Sequence, residues 1–284
     1  MKTIFQKLET KLKSLFNYFR LGLYLFQSSQ DKELHPILRS YLGEIPLCIF
    51  SEPLVWLRMI VRSRSRFKKI EQRPYSFYAP DLNAISFGKS DRISEMLENN
   101  WEAIAKEFAR VAPEETPTPS KALVKEGTWN TFPLRRSSKQ IAENISQCPQ
   151  TWAIAKQCPL LSGIEGGVYF SIIYPDTHVR PHCGPSNVRY RYHLTIEAAE
   201  NAKIRSGREW RSWESRKCLI LDDSFEHEVQ HNGNKRRVVL IVDCWHPDLS
   251  EKEREFLSQL HQIWQKPTRK AAEKQLPKFV IPTA

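Results

Sequence analysis

The sequence has no uninterrupted apolar run of the roughly 18–20 residues that a membrane-spanning helix needs. The apolar stretch 41–61 is broken by Pro46, Glu52, Pro53 and Arg58. A signal-peptide layout is also missing, because Lys and Arg interrupt the apolar residues up to Arg20. The cysteines, at positions 48, 148, 158, 183, 218 and 244, include no Cys-x-x-Cys pair. That removes the common zinc-ribbon and dithiol motifs. A chain of 284 residues does not depend on disulfide staples, so reduced thiols in a cytoplasmic protein are expected. Acidic residues are scarce at one end. Residues 1–80 carry 6 Asp and Glu against 14 Lys and Arg, so +8 of the net charge of +11 lies there. With no zinc-finger spacing and no RNA-binding aromatic motif, this placement argues against a basic catalytic surface built for nucleic acid, and no nucleic-acid partner is expected.

What is present divides the chain into three parts. Residues 1–75 read as a basic, amphipathic, helical extension. Ile4, Leu8, Leu12, Leu15, Phe16, Phe19, Leu23 and Phe26 recur at helical spacing, with Lys7, Lys11 and Lys13 on the other side. Such a helix packs on its own domain or on a partner, or lies against an anionic membrane. Peripheral contact through residues 1–70 therefore stays open. The basic cluster of residues 62–69 adds to that option. Residues 76–265 read as a folded domain and 266–284 as a tail.

Within the domain the spacing predicts one amphipathic helix over 91–110 and a strand over 127–134. Short helices follow over 137–147 and 150–157, ended by the Cys-Pro pairs at 148–149 and 158–159. The pattern then turns to strands at 168–174, 189–196, 218–221 and 238–242, with a closing helix over 250–264. About five strands without a βαβ rhythm predict a mainly β fold with flanking helices, an antiparallel barrel or jelly roll.

Five of the eight histidines, His178, His182, His193, His227 and His231, fall within 54 positions of this strand region. Strands deliver alternate side chains to one cavity, and neutral imidazoles suit Fe, Zn or Cu. Non-haem Fe(II) oxygenases commonly pair His-x-Asp with a distant His. Here Gly184 stands two residues after His182, and taken alone that argues against the usual triad.

Several segments nevertheless keep a consistent spacing: Tyr169-Phe170-Ser171-Ile172, Thr177-His178-Val179-x-Pro181-His182-x-Gly184-Pro185-x-Asn187, Arg189-x-Arg191-x-His193-Leu194, Trp213-Glu214, the run from Asp222 to Val229, and Val242-Asp243-x-Trp245-His246-Pro247. Over roughly 80 residues they resemble the aspartyl/asparaginyl β-hydroxylase family of 2-oxoglutarate- and Fe(II)-dependent oxygenases. The likeness weakens towards residue 78 and does not reach residues 1–75. That family holds iron with two histidines and carries Gly at the acid position, so Gly184 matches it.

The resemblance implies a double-stranded β-helix core. It implies His182 and His227 as iron ligands, and Ser171, His193 and Arg237 as contacts to 2-oxoglutarate. Arg191 would meet the substrate side chain and Trp129 would wall the pocket with Trp213. Asn187, Asp222, Asp223 and Asp243 would support these groups from behind. The implied reaction consumes 2-oxoglutarate and O₂, releases succinate and CO₂, and hydroxylates the β-carbon of an Asp or Asn residue in a polypeptide. The sequence departs from the family at one place. The family has a further substrate-binding arginine shortly before the Gly-x-Trp segment, where Val124 stands here with Lys125 beside it. Lys125 is thus the expected substitute. Two other readings remain: the same chemistry on a lipid or small peptide natural product, and a jelly-roll binding module without turnover.

Overall fold

A computed structural model describes residues 71–74, 82–111, 120–137, 139–162, 166–251, 254 and 257–258. The chain divides into units of residues 1–64 and 65–284, and every described residue belongs to the second. The expectations for the amphipathic extension, apart from residues 71–74, and for the tail lie outside the described residues.

The domain opens with two helices rather than one. α1 spans Arg92–Asn99 and α2 spans Trp101–Phe108. Asp91 caps α1 by accepting from the N–H groups of Ile93 and Ser94, and Ser94 Oγ accepts from Asp91 N in return. The helical periodicity runs through Asn100, but Asn100 leaves helical geometry and its amide donates to Met96 O. A short polar side chain that satisfies a free carbonyl ends one helix and starts the next. Beyond Asn100, Trp101 Nε1 donates to Thr195 O.

Among the described residues there follow β1 (Val124–Glu126), β2 (Trp129–Arg136), β3 (Lys139–Gln140), α3 (Ala142–Gln147), α4 (Pro149–Ala155), β4 (Gly167–Ile173), β5 (Thr177–His182), β6 (Arg189–Glu197), β7 (Ala202–Ser206), β8 (Glu209–Ser212), β9 (Cys218–Leu221), β10 (His227–His231) and β11 (Arg237–Trp245), with a 3-10 turn over Lys121–Leu123 before β1. A six-stranded sheet has the order β3-β2-β4-β11-β6-β9, and a five-stranded sheet the order β1-β5-β10-β7-β8. Every pairing is antiparallel. From β4 onward the chain swings between the sheets, with β4, β6, β9 and β11 in one and β5, β7, β8 and β10 in the other. This winding is a double-stranded β-helix, as expected from the sequence.

Burial explains the central strand. All nine residues of β11 are buried, because it lies between β4 and β6 and is covered on both faces. Val238, Leu240, Val242 and Cys244 pack with Phe108 of α2 and Trp152 of α4. Val239 and Ile241 face the other way, towards Val179, Ile204 and Val229 of the smaller sheet. Period-two alternation therefore aims Arg237 and Asp243 between the sheets as well. By the same parity β4 points Tyr169 and Ser171 inward, and β6 points Arg189, Arg191, His193 and Thr195 inward.

Candidate active site

His182 ends β5 and His227 begins β10, and the antiparallel ladder sets them directly opposite each other. Their ring centroids lie 4.1 Å apart. His182 Nδ1 is 2.8 Å from Arg180 O, and His227 Nδ1 is 2.9 Å from Phe225 O. A carbonyl only accepts, so each Nδ1 carries the proton and each Nε2 keeps its lone pair. Burial lowers the pKa of both, that of His227 to about 3, which keeps the rings neutral at physiological pH. Two neutral imidazoles with free Nε2 atoms form a donor pair for a borderline metal ion. The other clustered histidines are engaged differently. His178 Nε2 pairs with Glu228, while His231 Nε2 donates to Lys235 O. Among the described residues no group of three or more His, Cys, Asp or Glu could hold a metal.

The glycine two residues after His182 has a steric reason. A Cβ on Gly184 would lie 2.6 Å from all three heavy atoms of the Asp223 carboxylate. Arg189 holds that carboxylate bidentately (Nε–Oδ1 3.0 Å, Nη2–Oδ2 2.6 Å), and Arg191 Nη1 lies 3.2 Å from Oδ2. Burial alone would raise the Asp223 pKa, but the two guanidiniums outweigh it and hold the group below the usual carboxylate range. The ion pairs prevent Asp223 from withdrawing. Gly184→Ala is therefore expected to displace the turn after β5 and lower metal affinity at least about tenfold, as disturbing ligand-supporting groups does; metal titration checks this. Gly184→Asp, which would complete a three-ligand motif on paper, is expected to do no better.

A second set of donors lies behind the paired histidines. Arg237 is buried and without a carboxylate partner: Nη1 donates to Ser171 O at 3.3 Å, the guanidinium carbon sits 4.4 Å over the Trp213 ring, and Nε has no partner. Burial pushes its pKa down to about 9. Trp213 Nε1 donates to His193 Nδ1 at 3.3 Å. An indole N–H can only donate, so His193 carries its own proton on Nε2, which is also buried without a partner. Burial, then the charges of Arg191, Arg237 and His227, hold its pKa far below normal. Ser171 Oγ accepts from Trp129 Nε1 at 2.9 Å, which leaves the hydroxyl proton free. Two orphaned N–H donors, one cationic, beside an available hydroxyl suit a small dicarboxylate.

In front of His182 opens a cavity of about 730 Å³, lined among others by Trp129, Arg135, Tyr169, Arg191 and Asp243. Ser171, His193, His227 and Arg237 do not line it.

The remaining predicted residues divide. Trp129 reaches the cavity and also buttresses Ser171. Arg191 lines the cavity but is committed to acids. Its Nε and Nη2 donate to Asp243 at 2.8 and 3.2 Å, besides its contact with Asp223. Asp243 thus holds Arg191, and Asp223 holds Arg189 and contacts Arg191. Asn187 is buried in the segment leading to β6. Lys125, the expected substrate contact, is not brought to the cavity. Its side chain is 52% exposed and pairs with Glu126 at 3.6 Å, because β1 is an edge strand.

Asp222 stands apart from the cavity, accepting from Gln72 Nε2 and from Ser224 N and Oγ. Burial raises its pKa to about 8. The folded state keeps that proton where the unfolded chain, with a pKa of about 4, has released it. Stability should therefore fall as pH rises from about 4 to about 8, and Asp222→Asn should flatten this slope in denaturant midpoints measured across that range.

Sequence reasoning assigned no site role to Arg189 or Arg135. Arg189 was discernible, since it shares alternate positions with Arg191 and His193. For Arg135 the only signal was parity with Trp129, and β2 has a register shift between Pro133 and Arg135 that parity does not reveal.

The strand order defines a double-stranded β-helix domain, whose β5–β10 ladder sets His182 opposite His227. Residues 98–247, just over half of the chain, match the family model described as aspartyl/asparaginyl beta-hydroxylase, and the chain belongs to that family. It is 36% identical over 171 residues to human aspartyl/asparaginyl beta-hydroxylase, covering 57% of this chain and 22% of that protein. Aspartate beta-hydroxylase domain-containing protein 2 of Xenopus tropicalis is 31% identical over 208 residues, covering 66% and 55%. The human domain-containing protein 1 is 31% identical over 199 residues, covering 66% and 51%. The chain thus spans about a fifth of the first relative's length and about half of the other two. Among solved structures, a 2OG-Fe(II) oxygenase family oxidoreductase from Burkholderia pseudomallei aligns at 11% identity over 51% of this chain and 78% of that one, with a TM-score of 0.36. At that distance the strand order, not the superposition, carries the fold.

Proposed function

We propose that this chain is a 2-oxoglutarate- and Fe(II)-dependent oxygenase that hydroxylates the β-carbon of an Asp or Asn residue in a polypeptide. The observation that carries this is the facing pair His182 and His227, each with its proton on Nδ1 and its Nε2 free. These two residues would hold the iron. Gly184 has no side chain and would contribute no third ligand. Arg237, with the Ser171 hydroxyl, would take the far carboxylate of 2-oxoglutarate, and His193 Nε2–H the carboxylate beside the keto group. Both orphaned donors would then be satisfied.

When bound, iron with 2-oxoglutarate and O₂ supplies an oxidative decarboxylation that yields succinate and CO₂ and places one oxygen atom in a C–H bond. The chain itself binds, orients and excludes water. Burial around Arg237 and His193 keeps the co-substrate dry and strengthens their hydrogen bonds to it. The open cavity in front of His182 admits the peptide side chain.

Purified protein given Fe(II), 2-oxoglutarate and Asp- or Asn-bearing peptides should form succinate and a product 16 Da heavier. Succinate formation that depends on peptide, with no mass gain on any peptide, would count against peptide hydroxylation. No succinate under any of these conditions would sink the oxygenase reading.

A further inference from the structure

We infer that Arg135 is the residue that selects an acidic substrate, by binding a substrate carboxylate in the open cavity. This rests on the proposed function for the identity of the cavity, though not for the charge that Arg135 carries.

The cavity's other buried cations are already neutralised. Arg189 and Arg191 face Asp223 and Asp243 in a closed group of two guanidiniums and two carboxylates. Glu226 is taken by Arg205 at 2.9 Å. Arg135 is only 8% exposed, lines the same cavity as His182, and its Nη1 is buried without a hydrogen-bond partner. The acid whose charge it feels is Asp243. Both oxygens of Asp243 are committed, Oδ1 to Arg191 and Oδ2 to Arg191 and Gly167 N. A buried guanidinium without a counter-charge is costly, and a bound anion relieves that cost.

That anion is not the one assigned to Arg237. Through β4, Arg135 aligns with Val168 and Arg237 with Ile173, five residues apart. Five residues of strand separate these backbone positions by about 17 Å, and Arg237 does not line the cavity that Arg135 lines. The β-bulge opposite Tyr169 and Val168, which precedes Arg135, sets where its side chain enters. Val124 and the exposed Lys125 leave the substrate without a cation from β1, and Arg135 supplies one from β2.

The test is equilibrium binding of two nearly isosteric probes, N-acetyl-aspartyl amide and N-acetyl-asparaginyl amide. Binding is measured anaerobically on protein loaded with Fe(II) and 2-oxoglutarate, and again on metal-free protein. The wild type should prefer the aspartyl probe by about tenfold or more, the size expected of a hydrogen bond to a charged group. Arg135→Met should lose that preference, and Arg135→Lys should keep part of it. Affinity for 2-oxoglutarate should stay within about twofold in both variants, because Arg135 lies away from the Arg237 end. Arg135→Met should also unfold at a higher temperature than wild type without ligand, since it sheds an uncompensated buried charge. No aspartyl preference in the wild type, or a preference retained in Arg135→Met, overturns the inference. Should Arg135→Met fail to fold, Arg135→Lys with the full wild-type preference and no change in aspartyl affinity overturns it equally. Failure of the wild type to bind 2-oxoglutarate counts against the proposed function instead, and the metal-free titration still decides the role of Arg135.

Discussion

His227→Ala is expected to abolish metal-dependent turnover, and His182→Ala to do the same, while the domain stays folded. The two imidazoles face each other across the β5–β10 ladder, and no other described histidine offers a free Nε2 lone pair beside them. Removing one leaves a single protein donor, because Gly184 has no side chain and Asp223 is bound by Arg189 and Arg191. Loss of affinity should be visible directly by titrating Fe(II) or Mn(II) anaerobically, before any activity is measured. His178→Ala is the control. Its ring pairs with Glu228, so metal affinity should be unchanged. A His227→Ala protein that bound metal and formed succinate like the wild type would remove the proposed centre.

The second large effect is expected at Arg237, with opposite signs for binding and stability. Arg237→Met should weaken 2-oxoglutarate by about 2–5 kcal/mol, roughly 30-fold to several thousand-fold, the range for truncating one partner of a buried charge pair. The same variant should be at least as stable as the wild type without ligand. The guanidinium has no carboxylate partner, its Nε is unsatisfied, and burial already pushes its pKa down to about 9. A long unbranched apolar side chain replaces it over Trp213 without the charge. Calorimetric titration of 2-oxoglutarate and a thermal unfolding curve test the two halves separately. If Arg237 had a structural role instead, stability would fall while 2-oxoglutarate affinity held.

Much of the framework could be read from residue patterns. The apolar run of β11 announced a strand covered on both faces, and the alternation of β6 placed Arg191 and His193 on a common side. Other strands were invisible for a physical reason. β8 is exposed along its whole length and β10 reads His-Glu-Val-Gln-His. A strand that gains its stability from ladder hydrogen bonds and ion pairs, such as Arg205 with Glu228, leaves no hydrophobic period to detect. The break at Asn100 was hidden similarly, since apolar spacing continues across it while one side chain ends the helix.

The sequence by itself determined a mainly β domain, a cluster of histidines in its strand region, and a glycine where a carboxylate ligand is usual. Only the tertiary structure decided which histidines are opposite one another, because ladder register is a property of two strands. It also decided which charges are already matched. Asp223 and Asp243 neutralise Arg189 and Arg191, leaving Arg135 and Arg237 as buried cations without a carboxylate among the described residues. A charge has the same identity in a sequence whether paired or not. What it can bind depends on how far it lies from water and from the nearest counter-charge, and folding sets both distances.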